Sequence, residues 1–209
     1  MYDKLKQECV QAIAYELPQP ILNTLYDKLF SNLHGQKRFH DDHYQNNIIK
    51  SNALAQAEYF SIMDAVDSAL KHDDRYSLKP THPAGGHFPQ IELNDLILIP
   101  RRSVSCQEWQ KANYLKQLAK NNQKLNTQLD WLSQSKNKDK ILVIMDVSYL
   151  DGTLYIQYLI PDNRLNSILV NINHDEVIQE FNKPINVKHK INPVAKLKKT
   201  LKQLNKKVG

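Results

Sequence analysis

The segment KILVIMDVSYLDGTLYIQYLI, residues 140–160, limits the folds open to this chain more than any other stretch. Asp151-Gly152 is a two-residue turn of the kind that joins antiparallel strands, because both residues tolerate the positive φ such a turn needs. A turn there sets the register on both sides: Leu150 faces Thr153, Ser148 faces Tyr155 and Asp146 faces Gln157. Side chains alternate along a strand, so Ile141, Val143, Met145, Val147, Leu154, Ile156, Tyr158 and Ile160 share one face, which must be the core side. Leu142, Ile144, Asp146, Ser148, Tyr155, Gln157 and Leu159 share the other. A further strand with Ile168, Val170 and Ile172 follows, then a short helix opened by the capping box of Asn173 and Glu176.

Upstream the apolar period changes from 2 to 3.6. Tyr2, Leu5, Cys9, Ala12, Ile13 and Leu17 form one helical stripe, ended by Pro18. Leu22, Leu25, Leu29 and Leu33 form a second that stops at Gly35, and Leu54, Tyr59, Ile62, Met63, Val66, Ala69 and Leu70 form a third. Residues 34–47 have no clear apolar face and fit either a loop or an exposed helical start. Residues 77–90, SLKPTHPAGGHFPQ, hold three of the nine prolines and two of the five glycines and read as a linker. Beyond it, QIELNDLILIPRR predicts a strand, or a tight pair of strands around Asn94-Asp95. Ser105 and Glu108 then offer a capping box for a long helix to about Ser133, with Leu115, Leu118, Leu125, Leu129 and Leu132 at heptad spacing and Asn122 in the seam. The expectation is an α+β protein. It has a helical region at 1–76, a linker at 77–90, an α+β region at 91–182 built on the antiparallel 141–160 hairpin and its long helix, and a basic tail at 183–209 carrying an amphipathic helix.

The formal charge of +6 is not spread over that plan. Nine lysines and no acid lie from Lys183 onward, so residues 1–182 keep 19 of the 28 basic side chains against all 22 acidic ones, a net of −3. Basicity is a property of the tail. A body of that sign repels phosphate weakly, which argues for work beside a partner and against a domain that grips duplex DNA alone. In the tail, Val194, Leu197, Leu201, Leu204 and Val208 recur at spacings of 3 and 4, and Lys196, Lys198, Lys199, Lys202, Lys206 and Lys207 decorate the opposite arc. Such a helix suits phosphate backbones, of DNA or RNA without sequence preference. Its apolar face lacks the Trp and Phe of an interfacial anchor, so a membrane is not the expected partner. The leucine face, like the Asn122 seam, predicts packing on this chain's own body, on a protein partner or on a second copy. Two cysteines, no apolar run long enough to cross a bilayer and a charged segment right after Met1 predict a cytoplasmic protein with reduced thiols.

Three constellations bear on chemistry. Lysine outnumbers arginine 23 to 5, so the adjacent Arg101 and Arg102 between a strand end and a capped helix stand out as an anion site; the competing expectation is an ion pair with the chain's own acids, for instance Asp95 or Glu108. Cys106 beside them is expected to have a lowered pKa if it sits at that helix start. Second, six of the eight histidines lie in residues 34–87, and HDD occurs twice, which makes His40, Asp41, His43, His72 and Asp73 candidate ligands for a divalent metal ion. The His-Asp pair resembles the nucleus of the metal site in HD-type phosphohydrolases, over the dipeptide alone; the same residues also suit exposed loops and helix ends. Third, Asp146 and Gln157 on paired strands resemble the D…(E/Q)xK core of PD-(D/E)xK nucleases, whose carboxyls hold a divalent cation. That resemblance would make both catalytic, but Leu159 stands where the motif has lysine; a buried Asp bonded to Gln or Tyr gives the same pattern. The leading functional expectation is a non-catalytic nucleic-acid-associated protein or complex subunit using the tail lysines with Arg101 and Arg102. The alternatives are a metal-dependent phosphodiesterase or nuclease, and a protein-interaction module such as an antitoxin, immunity protein or assembly subunit.

Overall fold

The turn at Asp151-Gly152 forms with φ of 49° and 81°, the pair of positive values that lets a two-residue connection follow the twist of its strands. It joins β4 (Ile141–Leu150) to β5 (Thr153–Pro161), and Asp146 faces Gln157 in the register expected from the turn. The computed structural model of the chain describes residues 2–81, 86–126 and 140–183. Within them the hairpin is part of a six-stranded sheet, with β1 (Tyr76–Pro80), β2 (His87–Glu92), β3 (Leu96–Arg102) and β6 (Ile168–Asn173) completing the order β1-β2-β3-β4-β5-β6. All neighbours are antiparallel except β3 and β4, which run parallel. A sheet expected as an antiparallel hairpin structure is therefore mixed, because the chain leaves β3 and crosses to the start of β4 before pairing.

Residues 77–90 correct the linker reading. Tyr76↔Ile91 through Pro80↔His87 pair as a ladder between β1 and β2, so most of the Pro-rich stretch is sheet. Its two described prolines lie where a missing N–H does least harm: Pro80 ends the edge strand β1, and Pro89 is outside Ile91 and Glu92, the two β2 residues that pair with β3. The sequence punctuation marked a sheet edge, not a domain boundary.

Three helices cover the face that holds Ile141, Val143, Met145 and Val147. They are α1 (Tyr2–Glu16), α2 (Gln19–His43) and α3 (Asn47–Leu70), and their buried Ile13, Leu25, Leu29, Ile62 and Val66 join those strand residues in one core. The helical half and the hairpin half are thus one body. Each fully buried Leu or Ile contributes roughly 1.5–3 kcal/mol, which accounts for most of the cohesion of that interface. Helix α2 runs past Gly35 to His43, so residues 34–43 are its last turns; Asn46 then caps α3, its side chain accepting from the N–H groups of Ile48 and Ile49. Helix α6 (His174–Phe181) carries the expected capping box, with Asn173 N donating to Glu176 at 2.9 Å.

The opposite face is covered by the β3–β4 crossover. The long helix expected there is broken into α4 (Cys106–Trp109), α5 (Asn113–Ala119) and a 3-10 turn at Lys120–Asn126. Ser105 makes no side-chain cap, and Glu108 pairs with Lys111 instead. Leucines at heptad spacing fit this broken path as well as a continuous helix, since Leu115 needs only to reach the sheet. Asn122 is fully buried and is not an interface residue: its amide donates to the carbonyls of Leu142 (3.2 Å) and Pro161 (2.8 Å) and accepts from Leu142 N (2.8 Å). Leu129, Leu132 and the tail from residue 184 lie outside the described residues.

Candidate functional site

Open sheets bind ligands beyond the carboxyl ends of parallel strands, and here β3 and β4 are the parallel pair. Their ends carry Arg101, Arg102 and Ser103 on one side and Asp146, Ser148 and Tyr149 on the other. Arg101 pairs in register with Asp146, and Asp146 with Gln157, which in turn faces Asn173. By strand alternation all four share the face covered by α4 and α5, since Ile99, Ile144 and Leu159 lie in that same core. Arg101, one member of the candidate arginine pair, thus joins the hairpin patch in one row across four strands.

Each member of the row is held differently. Arg101 donates from Nη1 to the Tyr114 hydroxyl at 2.7 Å, and Tyr114 stacks on Phe88 with centroids 3.9 Å apart. Gln157 donates to Asn173 Oδ1 at 3.4 Å, and Leu159 is buried where a lysine would complete the nuclease motif. Asp146 is 7 % exposed, and burial raises its carboxyl pKa, while a hydrogen bond from Ser103 and the charge of Arg102 act against that rise. Arg101 Nε, Trp109 Nε1 and Asp146 Oδ1 are buried polar atoms with no hydrogen-bond partner among the described residues. Trp109 is pressed down by α4, which is tied over the β5–β6 turn where Gln110 donates to Leu165 O and Asn166 Oδ1. Cys106 corrects the lowered-pKa reading: burial raises its thiol, its own backbone hydrogen bond lowers it, and Asp162 and Asp146 push it further up.

The Asp146 shift has a testable sign. Its folded pKa lies above the ordinary 3.8, so the native state binds more protons over that interval and stability falls as pH rises through it. Asp146→Asn is expected to raise the thermal midpoint by roughly a few degrees at neutral pH, with the gain fading to nothing below the ordinary value. Thermal melts of both proteins across pH check this; a gain that persists in acid would assign the effect to packing.

Arg102 points to the other face. Its guanidinium meets Glu58 of α3 at 3.7 Å, an ion pair with one of the chain's own acids as the competing expectation had it. Burial raises the Glu58 carboxyl pKa despite the opposing charges of Arg102, Lys37 and His40. Between α2, α3 and the strand ends lies a cavity of about 250 Å³, into which Glu58, Arg102, Ser103, Ser148 and Tyr149 open. The Tyr149 hydroxyl is 2.6 Å from His34 Nδ1, and His34 stacks on Phe30. Glu58 escaped the sequence reading, although one signal marks it: it lies one helical turn before Ile62, an acid in line with an apolar stripe.

The histidine clusters do not meet. His40 and His43 end α2 and His72 follows α3, whose 24 residues separate the two HDD segments by about 36 Å. His40 and His43 each turn Nδ1 to a carbonyl of their own helix, Gln36 O and Phe39 O, both at 2.8 Å. Asp41 pairs with Lys37 and Lys50, which hold its carboxyl pKa down. Asp73 is gripped by Arg75, which also donates to Glu16 O and lowers the Asp73 pKa. Among the described residues no group of three or more His, Cys, Asp or Glu side chains is placed to hold a metal ion. Nor is any described helix long and apolar enough to cross a membrane. Comparison of the chain with protein-family models, curated proteins and solved structures finds no match.

Proposed function

We propose that the chain is a non-catalytic, cytoplasmic nucleic-acid-associated protein or complex subunit, contacting phosphate through Lys196, Lys198, Lys199, Lys202, Lys206 and Lys207. The charge partition carries this reading: every acid of the chain precedes the nine lysines that begin at Lys183. Phosphate attraction from such a segment is sequence-blind and salt-sensitive. Arg102, which keeps 36 % of its side chain exposed at the strand ends, adds a second point of contact with the nucleic acid. Fluorescence anisotropy with labelled single- and double-stranded DNA and RNA tests the reading, comparing the full chain with one that ends at Asn192. Equal affinities for the two proteins would refute it.

A second reading, a protein-interaction module, is supported by the α2–α3 hairpin. It exposes Phe39 (49 %), Ile48 (74 %), Ile49 (55 %) and Phe60 (64 %), large apolar side chains that a monomer gains nothing by showing to water. If a second copy covers them, light scattering will report a dimer that Ile48→Glu with Phe60→Glu dissociates. A wild-type monomer would leave a different protein as the partner.

A further inference from the structure

We propose that the cavity at the carboxyl ends of β3 and β4 takes a single unpaired nucleobase, with guanine preferred. The inference rests on the nucleic-acid reading above and names what the body, as distinct from the tail, would recognise. Three observations lead there. At about 250 Å³ the cavity is just under the ~300 Å³ at which ligand clefts usually begin, so it suits a flat base better than a larger molecule. Its walls are apolar where a base face would lie, with Ile62 and Val147 buried beneath and the Tyr149 ring at one side, fixed by its contact to His34. A ring held that way is a stacking platform.

The third observation is the polar pair. Glu58 presents carboxylate acceptors beside the guanidinium donors of Arg102, with Ser103 and Ser148 nearby. Their 3.7 Å separation exceeds a hydrogen bond, so the pair does not consume its own donors and acceptors. An edge that satisfies both must show adjacent donors and an acceptor. Guanine does, with N1–H and the N2 amino group for the carboxylate and O6 for the guanidinium. Uracil and thymine show one ring N–H between two carbonyls, and adenine and cytosine set a single amino group beside ring acceptors, so neither offers the carboxylate the two adjacent donors that guanine does. A bare phosphate would meet Arg102 but be repelled by Glu58, which argues that the base and not the backbone enters.

The test uses the full chain and two probes that separate free nucleotide from polymer. Calorimetric titration with GMP, AMP, CMP and UMP forms one arm. The other is anisotropy with an oligothymidine carrying, or lacking, one guanine. In at least one arm guanine is expected to bind roughly ten-fold tighter than the other bases, with the preference lost in Glu58→Gln and in Arg102→Gln. Should one variant fold poorly, as judged by its melting curve, the other still decides. No guanine preference in either arm, or a preference that survives both substitutions, overturns the proposal. Polymer affinity without base preference in either arm would sink this inference alone, whereas a full chain with no polymer affinity would sink the phosphate reading, the nucleotide arm still deciding the inference.

Discussion

Replacing Asn122 with leucine is expected to lower the stability of the protein by roughly 3–5 kcal/mol, the largest effect of any single polar substitution considered. Asn122 is fully buried and serves three backbone groups at once: the carbonyls of Leu142 and Pro161 and the N–H of Leu142. Leucine fills a similar volume but satisfies none of them, and each buried backbone group left unpaired costs about 1–3 kcal/mol. The clamp also joins the 3-10 turn to the entry of β4 and the exit of β5, so its loss frees the crossover that covers the Asp146 face. For a chain of this size the expected fall in thermal midpoint is on the order of 10 °C. Asn122→Asp sharpens the test, since it keeps the acceptor for Leu142 N yet turns a carboxylate toward two carbonyls; it too should destabilise strongly at neutral pH. Urea unfolding checks both. A midpoint close to wild type for Asn122→Leu would mean that the clamp adds little.

The same residue shows how far the sequence could be read. Asn122 falls on the leucine spacing of residues 115–132, and a polar residue in a leucine seam resembles the register-setting asparagine of paired helices. Nothing local reveals that its partners are Leu142 and Pro161, 20 and 39 residues on. The hairpin was legible because turn chemistry and a period of 2 are local signals, and the core face of β4 and β5 followed from them. The β3–β4 pairing was not, because parallel register is set by a crossover and not by a turn. That pairing is what places Arg101 beside Asp146 and sends Arg102 to Glu58. The prolines of residues 77–90 misled for a related reason: proline is compatible with a sheet edge, and edges are defined only by which strands find each other.

The second large effect concerns affinity. Removing residues 193–209 takes away six lysines and no acid, leaving a chain whose first 182 residues carry a net of −3. If each lysine neutralises one phosphate, the six together contribute a slope of roughly −5 in log K against log salt on duplex DNA, and roughly −4 on single strands. Between low and physiological salt that amounts to about a thousand-fold change in affinity. Substituting the six lysines with glutamine should have the same effect as the deletion, while glutamine at Arg101 should change it far less, because that guanidinium is already bonded to Tyr114.

The salt dependence of binding by the full chain and by the chain ending at Asn192, measured on one duplex under identical conditions, separates tail contacts from body contacts. A steep slope is expected for the full chain and a shallow one, at much reduced affinity, for the truncated chain. Equal slopes, or tight binding by the truncated chain, would show that the tail lysines do not carry phosphate binding.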